Sequence, residues 1–179
     1  MTYVKKMTAA EVAKAVDGIL EADGAIVVSA VSTDTRVLTP GSLFVAICGP
    51  RYDGHDYVQA ARDKGAVLIL AKQGVPLPEG CPCVRVADTV VALGALATWH
   101  RSRFTMPIIA VTGSVGKTST REMIAAALSA RYQVLRSKSN FNNEIGLPLS
   151  VLEMDETHTA AVFELGMRGL GEIGYLSRI

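Results

Sequence analysis

The sequence predicts an α/β protein: a small mixed α/β domain over residues 1–86, then the first part of a mostly parallel sheet with helices on its faces over 87–179. Three observations lead there. From about residue 105 onward apolar strand runs alternate with helical stretches, the order that goes with parallel pairing. Before that point strands and helices come in mixed order. A glycine-rich turn, Gly113-Ser114-Val115-Gly116, joins an apolar strand directly to a helix.

The elements follow in turn. Thr8-Ala9-Ala10-Glu11 has the capping-box pattern and opens a short helix over about 8–16 that ends near Gly18. Apolar runs at Ala25–Val31 and Ser42–Ile47 read as strands, with a Pro40-Gly41 turn between them. Asp56–Lys64 reads as a helix closed by Gly65, and Ala66–Leu70 as a strand. Gly74–Pro82, with three prolines, is a surface loop before a short strand at Val84–Val86. Asp88 caps a long Ala-rich amphipathic helix over Thr89–Arg103, whose Trp99-bearing face is core packing or a strut between domains. Pro107 precedes the strand Ile108–Val111, and a helix follows the turn from Thr118 to Arg131. Then come a strand at Gln133–Leu135, a polar loop Arg136–Asn143, a helix over Ile145–Leu152 and a strand at Ala160–Leu165. The last helix begins near Gly171. A doubly wound nucleotide domain has five or more strands, so three after residue 105 predict a domain cut part-way. Its sheet is expected to expose an edge and an apolar face, and so to be prone to aggregation.

Composition narrows the function classes. A formal charge of +1, with no Lys/Arg cluster, leaves no electrostatic footprint for nucleic acid. Lys5-Lys6 is followed by apolar residues broken by Glu11, Lys14 and Asp17, which is not a signal-peptide pattern. No apolar run approaches the ~20 residues that span a bilayer. The expectation is a cytoplasmic protein without membrane insertion. Three cysteines, Cys48, Cys81 and Cys83, are an odd set lacking zinc-knuckle spacing, and they read as buried or loop thiols.

The glycine-rich turn carries the chemistry. Such a turn between a buried strand and a helix aims backbone N–H groups at an anion, and the helix N-terminus adds partial positive charge. A lysine there reaches the β- and γ-phosphates of a nucleotide, and the next hydroxyl binds Mg²⁺. Gly116-Lys117-Thr118 meets these needs; the strict pattern departs only in having Val111 where a first glycine belongs, with Gly113 supplying the earlier turn. The predicted nucleotide contacts are Gly113, Ser114, Val115, Gly116, Lys117, Thr118 and Ser119, with Lys117 as the catalytic cation. Glu164 ends the apolar strand at the edge where open α/β sheets place ligands, so Thr118 and Glu164 are the predicted Mg²⁺ ligands.

Val111-Thr112-Gly113-Ser114-Val115-Gly116-Lys117-Thr118 resembles the Mur ligase superfamily, whose T-G-x-x-G-K-T loop lacks that first glycine. Asn140–Leu149 and Phe163–Arg168 with Gly171–Ile173 resemble the branch that joins D-alanyl-D-alanine to UDP-N-acetylmuramoyl-tripeptide. Ser139 stands where relatives often have glycine. Ser32–Arg36, Pro40–Ala46 and Gly54–Asp56 resemble the UDP-sugar-binding N-terminal domain, a pattern shared with the ligase that adds the third residue. The resemblance runs from about residue 30 to 179. It implies ATP and Mg²⁺ as cofactors, phosphorylation of the tripeptide carboxylate, and attack of the dipeptide amine on the acyl phosphate. It makes Ser32, Asp34, Thr35 and Arg36 the UDP-substrate contacts, with Arg36 toward the diphosphate. Asn142 and Asn143 are candidates for orienting nucleotide or substrate, beside the turn-forming role such residues often have.

The family's later lysine, histidine and C-terminal domain have no counterpart here, so the chain alone is expected to bind UDP-substrate weakly and ligate nothing. Two other readings stay open: a different phosphate-loop enzyme, such as a small kinase or a folate-polyglutamating relative, and a non-catalytic nucleotide or UDP-sugar module. Gly54-His55-Asp56 reads as a turn and helix cap rather than an acid–base pair. His100 and His158 read as partnerless surface residues.

Overall fold

The computed structural model describes residues 2–49, 52–138 and 140–179. It forms two compact units, residues 1–96 and 97–179. The loop feature noted at Ser139 lies outside the described residues.

The first unit is built on a six-stranded sheet in the order β1-β3-β4-β5-β6-β2. Its strands are β1 (Thr2–Thr8), β2 (Ile19–Glu21), β3 (Val27–Ser32), β4 (Ser42–Val45), β5 (Ala66–Lys72) and β6 (Cys83–Val86). The central four run parallel, while β1 and β2 add antiparallel edges. Helix α1 (Ala9–Ala15) starts as predicted, with Thr8 accepting from the Glu11 N–H and Glu11 bonding back to the Thr8 N–H. Helix α2 (Val58–Asp63) packs Val58 and Ala61 on a core of Phe44, Ile69 and Ala71. Cys81 and Cys83 belong to this same core, whereas Cys48 is exposed. Burial, together with the Glu21 carboxylate beside it, pushes the Cys83 thiol up to about 11.

In the second unit β7 (Ile108–Val111), β8 (Val134–Arg136) and β9 (Ala160–Glu164) form an all-parallel sheet in the order β7-β9-β8. Every residue of the central strand β9 is buried, as expected of a parallel strand covered on both faces. Helix α3 (Thr89–Arg101) leads into this unit, and α4 (Lys117–Ser129), α5 (Gly146–Leu152) and α6 (Glu172–Leu176) complete it. Ala125 of α4 meets Val111 and Val162 across the sheet surface.

Two strands escaped the sequence reading. β1 carries a register shift between Tyr3 and Met7, which breaks the period-two alternation that marks a strand. β2 is three residues long, and it exists because β6 offers it an edge.

The histidine expectations need correction. His100 is fully buried, and its Nε2 bonds the Met154 carbonyl oxygen at 2.8 Å. His158 bonds Asp155 Oδ1 at 2.9 Å through Nδ1. The cap of the short 3₁₀ turn Gly54–Tyr57 is Asp53, which accepts the His55 N–H at 2.9 Å. The buried His55 ring meets Asp53 through Nδ1 and accepts the Lys72 N–H through Nε2 at 3.0 Å. That ring ties the turn to the end of β5.

Candidate functional site

The glycine-rich turn leaves β7 and enters α4, as its sequence requires. Gly113 (φ 146°) and Gly116 (φ 80°) both take positive φ, where a side chain would be strained. Gly116 immediately precedes α4, so the turn lies against helix N–H groups that have no partner within the helix. Ser114, Val115 and Ser119 are exposed along it. Lys117 curls back, with Nζ donating to the Gly113 carbonyl oxygen at 2.7 Å.

Sheet register sets the second half of the site. Val111 lies opposite Glu164 in the β7–β9 pair, so Glu164 sits level with the start of the turn. Its side chain is only 5 % exposed. Thr118 Oγ1 donates to Glu164 Oε2 at 2.9 Å, and Asn142 Nδ2 donates to Oε1 at 2.8 Å. The Glu164 backbone N–H donates to Ser137 Oγ at 3.2 Å. Thr118 and Glu164, predicted from two separate segments, are thus brought together as a pair of hard oxygen donors, the kind Mg²⁺ takes.

Two residues of this network were not singled out in the sequence. Arg121, one turn after Lys117 on α4, is buried with its Nη1 3.6 Å from Glu164 Oε2 and 3.4 Å from Ser137 Oγ. Its Nε and Nη2 donate to Glu122 Oε1, and Glu122 Oε2 receives Arg136 at 2.6 Å. The available signal was spacing: Arg121 follows Thr118 by three positions, which shares a helix face with it. Nothing in the sequence announces that Ser137 lies opposite.

Asn143 does something different from its neighbour. Its Oδ1 accepts the Gly146 N–H at 2.8 Å and the Ile145 N–H at 3.3 Å, bracing the turn that enters α5. The turn-forming role describes Asn143, while Asn142 reaches the carboxylate. A cavity of about 330 Å³ opens beside them, lined by Lys117, Asn140, Asn142, Asn143, Glu144, Arg168, Glu172 and Tyr175 among others. Asn140 holds φ 71° on its rim, a conformation asparagine tolerates better than most residues.

The first unit has its own cavity, of about 580 Å³, lined by Thr33, Asp34, Thr35, Arg36, Phe44, Ile47, Tyr52, Gly54 and Tyr57. Asp34, Thr35 and Arg36, three of the four expected UDP-substrate contacts, line this cavity. Ser32 does not: it is buried, its hydroxyl donating to the Asp34 carbonyl oxygen and accepting the Asp34 N–H. It shapes the turn from beneath. Tyr52 and Tyr57, both exposed, add aromatic surface that the sequence reading overlooked. The Arg36 fork closes on Asp34, with Nη2 to Oδ2 at 2.6 Å and Nε to Oδ1 at 2.9 Å. The Arg36 side-chain bonds, helped by its backbone N–H, hold the Asp34 carboxyl down at about 2 against the opposing effect of burial. A lowered carboxyl stabilises the turn above its unfolded value near 3.9, and that contribution disappears as pH falls through about 2. The Arg36 Nε–H resonance is therefore expected to hold its position above about pH 4 and to move as pH falls toward 2. An unchanged resonance down to about pH 2 contradicts the ion pair.

Comparison with known proteins accords with this geometry. Residues 27–138 match the Mur ligase family, catalytic domain, and residues 111–179 match the Mur ligase middle domain. The chain belongs to the Mur ligase family. A Synechocystis UDP-N-acetylmuramoyl-tripeptide–D-alanyl-D-alanine ligase is 45 % identical over 150 residues, covering 83 % of this chain and 33 % of the relative. The Bacillus subtilis ligase of the same name is 44 % identical over 154 residues, 86 % of this chain and 34 % of the relative. The chain thus spans about a third of the length of the curated relatives it matches. Among solved structures, MurF from Acinetobacter baumannii superposes with a TM-score of 0.91 at 33 % identity, over 98 % of this chain and 39 % of that one. MurF ligase from Thermotoga maritima in complex with ADP gives 0.75 at 31 % identity, over 83 % and 34 % of the two chains. The α/β architecture is that of the Mur ligases. Among the described residues no helix is long and apolar enough to cross a membrane.

Proposed function

We propose that this chain supplies the UDP-substrate cavity and the phosphate loop of an ATP-dependent ligase that joins D-alanyl-D-alanine to UDP-N-acetylmuramoyl-tripeptide. Residues 1–86 carry the UDP-sugar site and residues 87–179 the start of the ATP domain. The observation that carries the reading is the Thr118–Glu164 pair at 2.9 Å beside the Gly113–Lys117 turn. The names of the Synechocystis and Bacillus subtilis relatives, both for that reaction, suggest the substrates.

In this reading the turn's N–H groups bind the nucleotide phosphates, and Lys117 leaves the Gly113 carbonyl to meet them. Thr118 Oγ1 and a Glu164 carboxylate oxygen hold Mg²⁺, which supplies charge neutralisation during phosphoryl transfer. Transfer of the γ-phosphoryl to the tripeptide carboxylate gives an acyl phosphate; the dipeptide amine then forms the amide bond and expels phosphate. Asp34, Thr35 and Arg36 hold the UDP end, which requires Arg36 to share its fork between Asp34 and the diphosphate. Reliance on ATP and a nucleotide-linked precursor places the reaction in the cytoplasm.

The test is ligation by the product of the gene that encodes this chain, given UDP-N-acetylmuramoyl-tripeptide, D-alanyl-D-alanine, ATP and Mg²⁺. Amide product that requires all four is the expected result. ATP turnover with a different carboxylate and amine overturns the substrate assignment while leaving the ligase chemistry. Uridine-nucleotide binding with no ATP turnover makes the protein a binding module.

A further inference from the structure

We infer that Asn142 is a positioning residue that makes Glu164 a one-oxygen metal ligand and so sets the site's preference for Mg²⁺ over Ca²⁺. The inference rests on the reading of Thr118 and Glu164 as metal ligands, and adds to it the discrimination between the two cations.

The two oxygens of Glu164 are not equivalent. Oε2 faces the phosphate loop, where it accepts from Thr118 at 2.9 Å, with Arg121 Nη1 3.6 Å away on its other side. Oε1 accepts from Asn142 Nδ2 at 2.8 Å. A carboxylate only accepts, so the face of the carboxamide turned toward it is the NH₂ group. The Asn142 NH₂ can only donate, so its hydrogen stays on Oε1, whereas the Thr118 hydroxyl hydrogen can rotate off Oε2 and leave both oxygens of that pair facing a cation.

Asn142 is itself held in place. Its backbone carbonyl oxygen accepts the Gly166 N–H at 2.7 Å, and a Cβ on Gly166 would lie 2.9 Å from both Cγ and Oδ1 of Asn142. The adjacent Asn143 is tied to the start of α5 through its own side chain. The side chain that covers Oε1 therefore rests on two fixed backbone segments rather than on a free loop.

The consequence for metal choice follows from coordination preferences. Ca²⁺ takes 6–8 oxygens at about 2.3–2.6 Å and readily closes on both oxygens of one carboxylate. Mg²⁺ keeps a near-octahedral shell at about 2.0–2.1 Å, retains waters, and takes a single oxygen from a carboxylate. With Oε1 covered, Glu164 offers what Mg²⁺ uses and withholds the second contact that favours Ca²⁺.

The experiment titrates fluorescent ADP binding to the chain with Mg²⁺ or Ca²⁺ and reads the ratio of the two half-saturation concentrations. In the wild type that ratio is expected to favour Mg²⁺ by about tenfold or more, and in Asn142→Ala to fall to within about threefold. Asn142→Ser, too short to reach Oε1, is the second variant and is expected to behave alike. Loss of a structural prop alone weakens binding with both cations equally, so the ratio separates the two roles. An unchanged ratio in either folded variant overturns the inference and leaves the metal-site reading intact. Nucleotide binding by the wild type that is indifferent to both cations overturns that reading, and the inference with it.

Discussion

In the product of the gene that encodes this chain, and on the proposed ligase reading, changing Lys117 to alanine is expected to lower ligation by two to three orders of magnitude, on the scale of losing one preorganised charge from a transition state of this kind. The reason is positional. Lys117 is the first residue of α4, and its ammonium lies over the turn through the bond to Gly113. An anion bound in the turn replaces that carbonyl as its partner, exchanging a neutral acceptor for a charged one. Because charge on the transferred phosphoryl group is spread over its oxygens during transfer, the effect should be larger on kcat than on nucleotide affinity. Affinity should fall about tenfold to a hundredfold, matching the loss of one charge-assisted hydrogen bond. Parallel nucleotide titration and product formation check both. A variant that keeps wild-type kcat removes Lys117 from the chemistry.

Changing Arg121 to alanine is expected to destabilise the second unit by about 3–4 kcal/mol, the range for taking one partner from a buried ion pair. Arg121 and Glu164 side chains are 4 % and 5 % exposed, so the carboxylate left behind has little access to water. The long contact of 3.6 Å places the effect below the top of that range. Neutral donors from Thr118 and Asn142 remain, and they offset part of the loss. Trp99, the only tryptophan, lies in this unit and reports its unfolding in urea by fluorescence. Adding Glu164→Gln to Arg121→Ala removes the uncompensated charge and is expected to recover at least about 1 kcal/mol. A loss under about 1 kcal/mol for Arg121→Ala, with no recovery, means the pair behaves as a surface contact.

These two residues mark where legibility in the sequence ended. Lys117 was readable because a phosphate loop is local: glycines, lysine and hydroxyl lie within six positions, between a strand and a helix that local patterning also reveals. Glu164 was readable because it ends an apolar run in an alternating α/β order, and such ends line up at one sheet edge. Arg121 was not, since a charged residue on an amphipathic helix is ordinarily solvated, and only the position of Ser137 and Glu164 buries it. His100 failed for the same reason, its partner being a carbonyl 54 residues away.

By itself, then, the sequence determined the α/β class, most of the helices and strands, and the glycine-rich turn that joins β7 to α4. Each depends on neighbours within a turn or a strand, where periodicity, capping and turn chemistry act. Only the tertiary structure decided that β1 and β2 close the edges of the first sheet, because an irregular or three-residue strand is stable only against a preformed edge. It alone set Asn142 on Glu164 and Asn143 on α5, two adjacent and chemically identical side chains sent to different partners. It also buried Ser32 beneath the turn that carries Asp34 and Arg36. A side chain's partner is fixed by which segments the sheet register brings level, and register is a property of paired strands rather than of either strand alone.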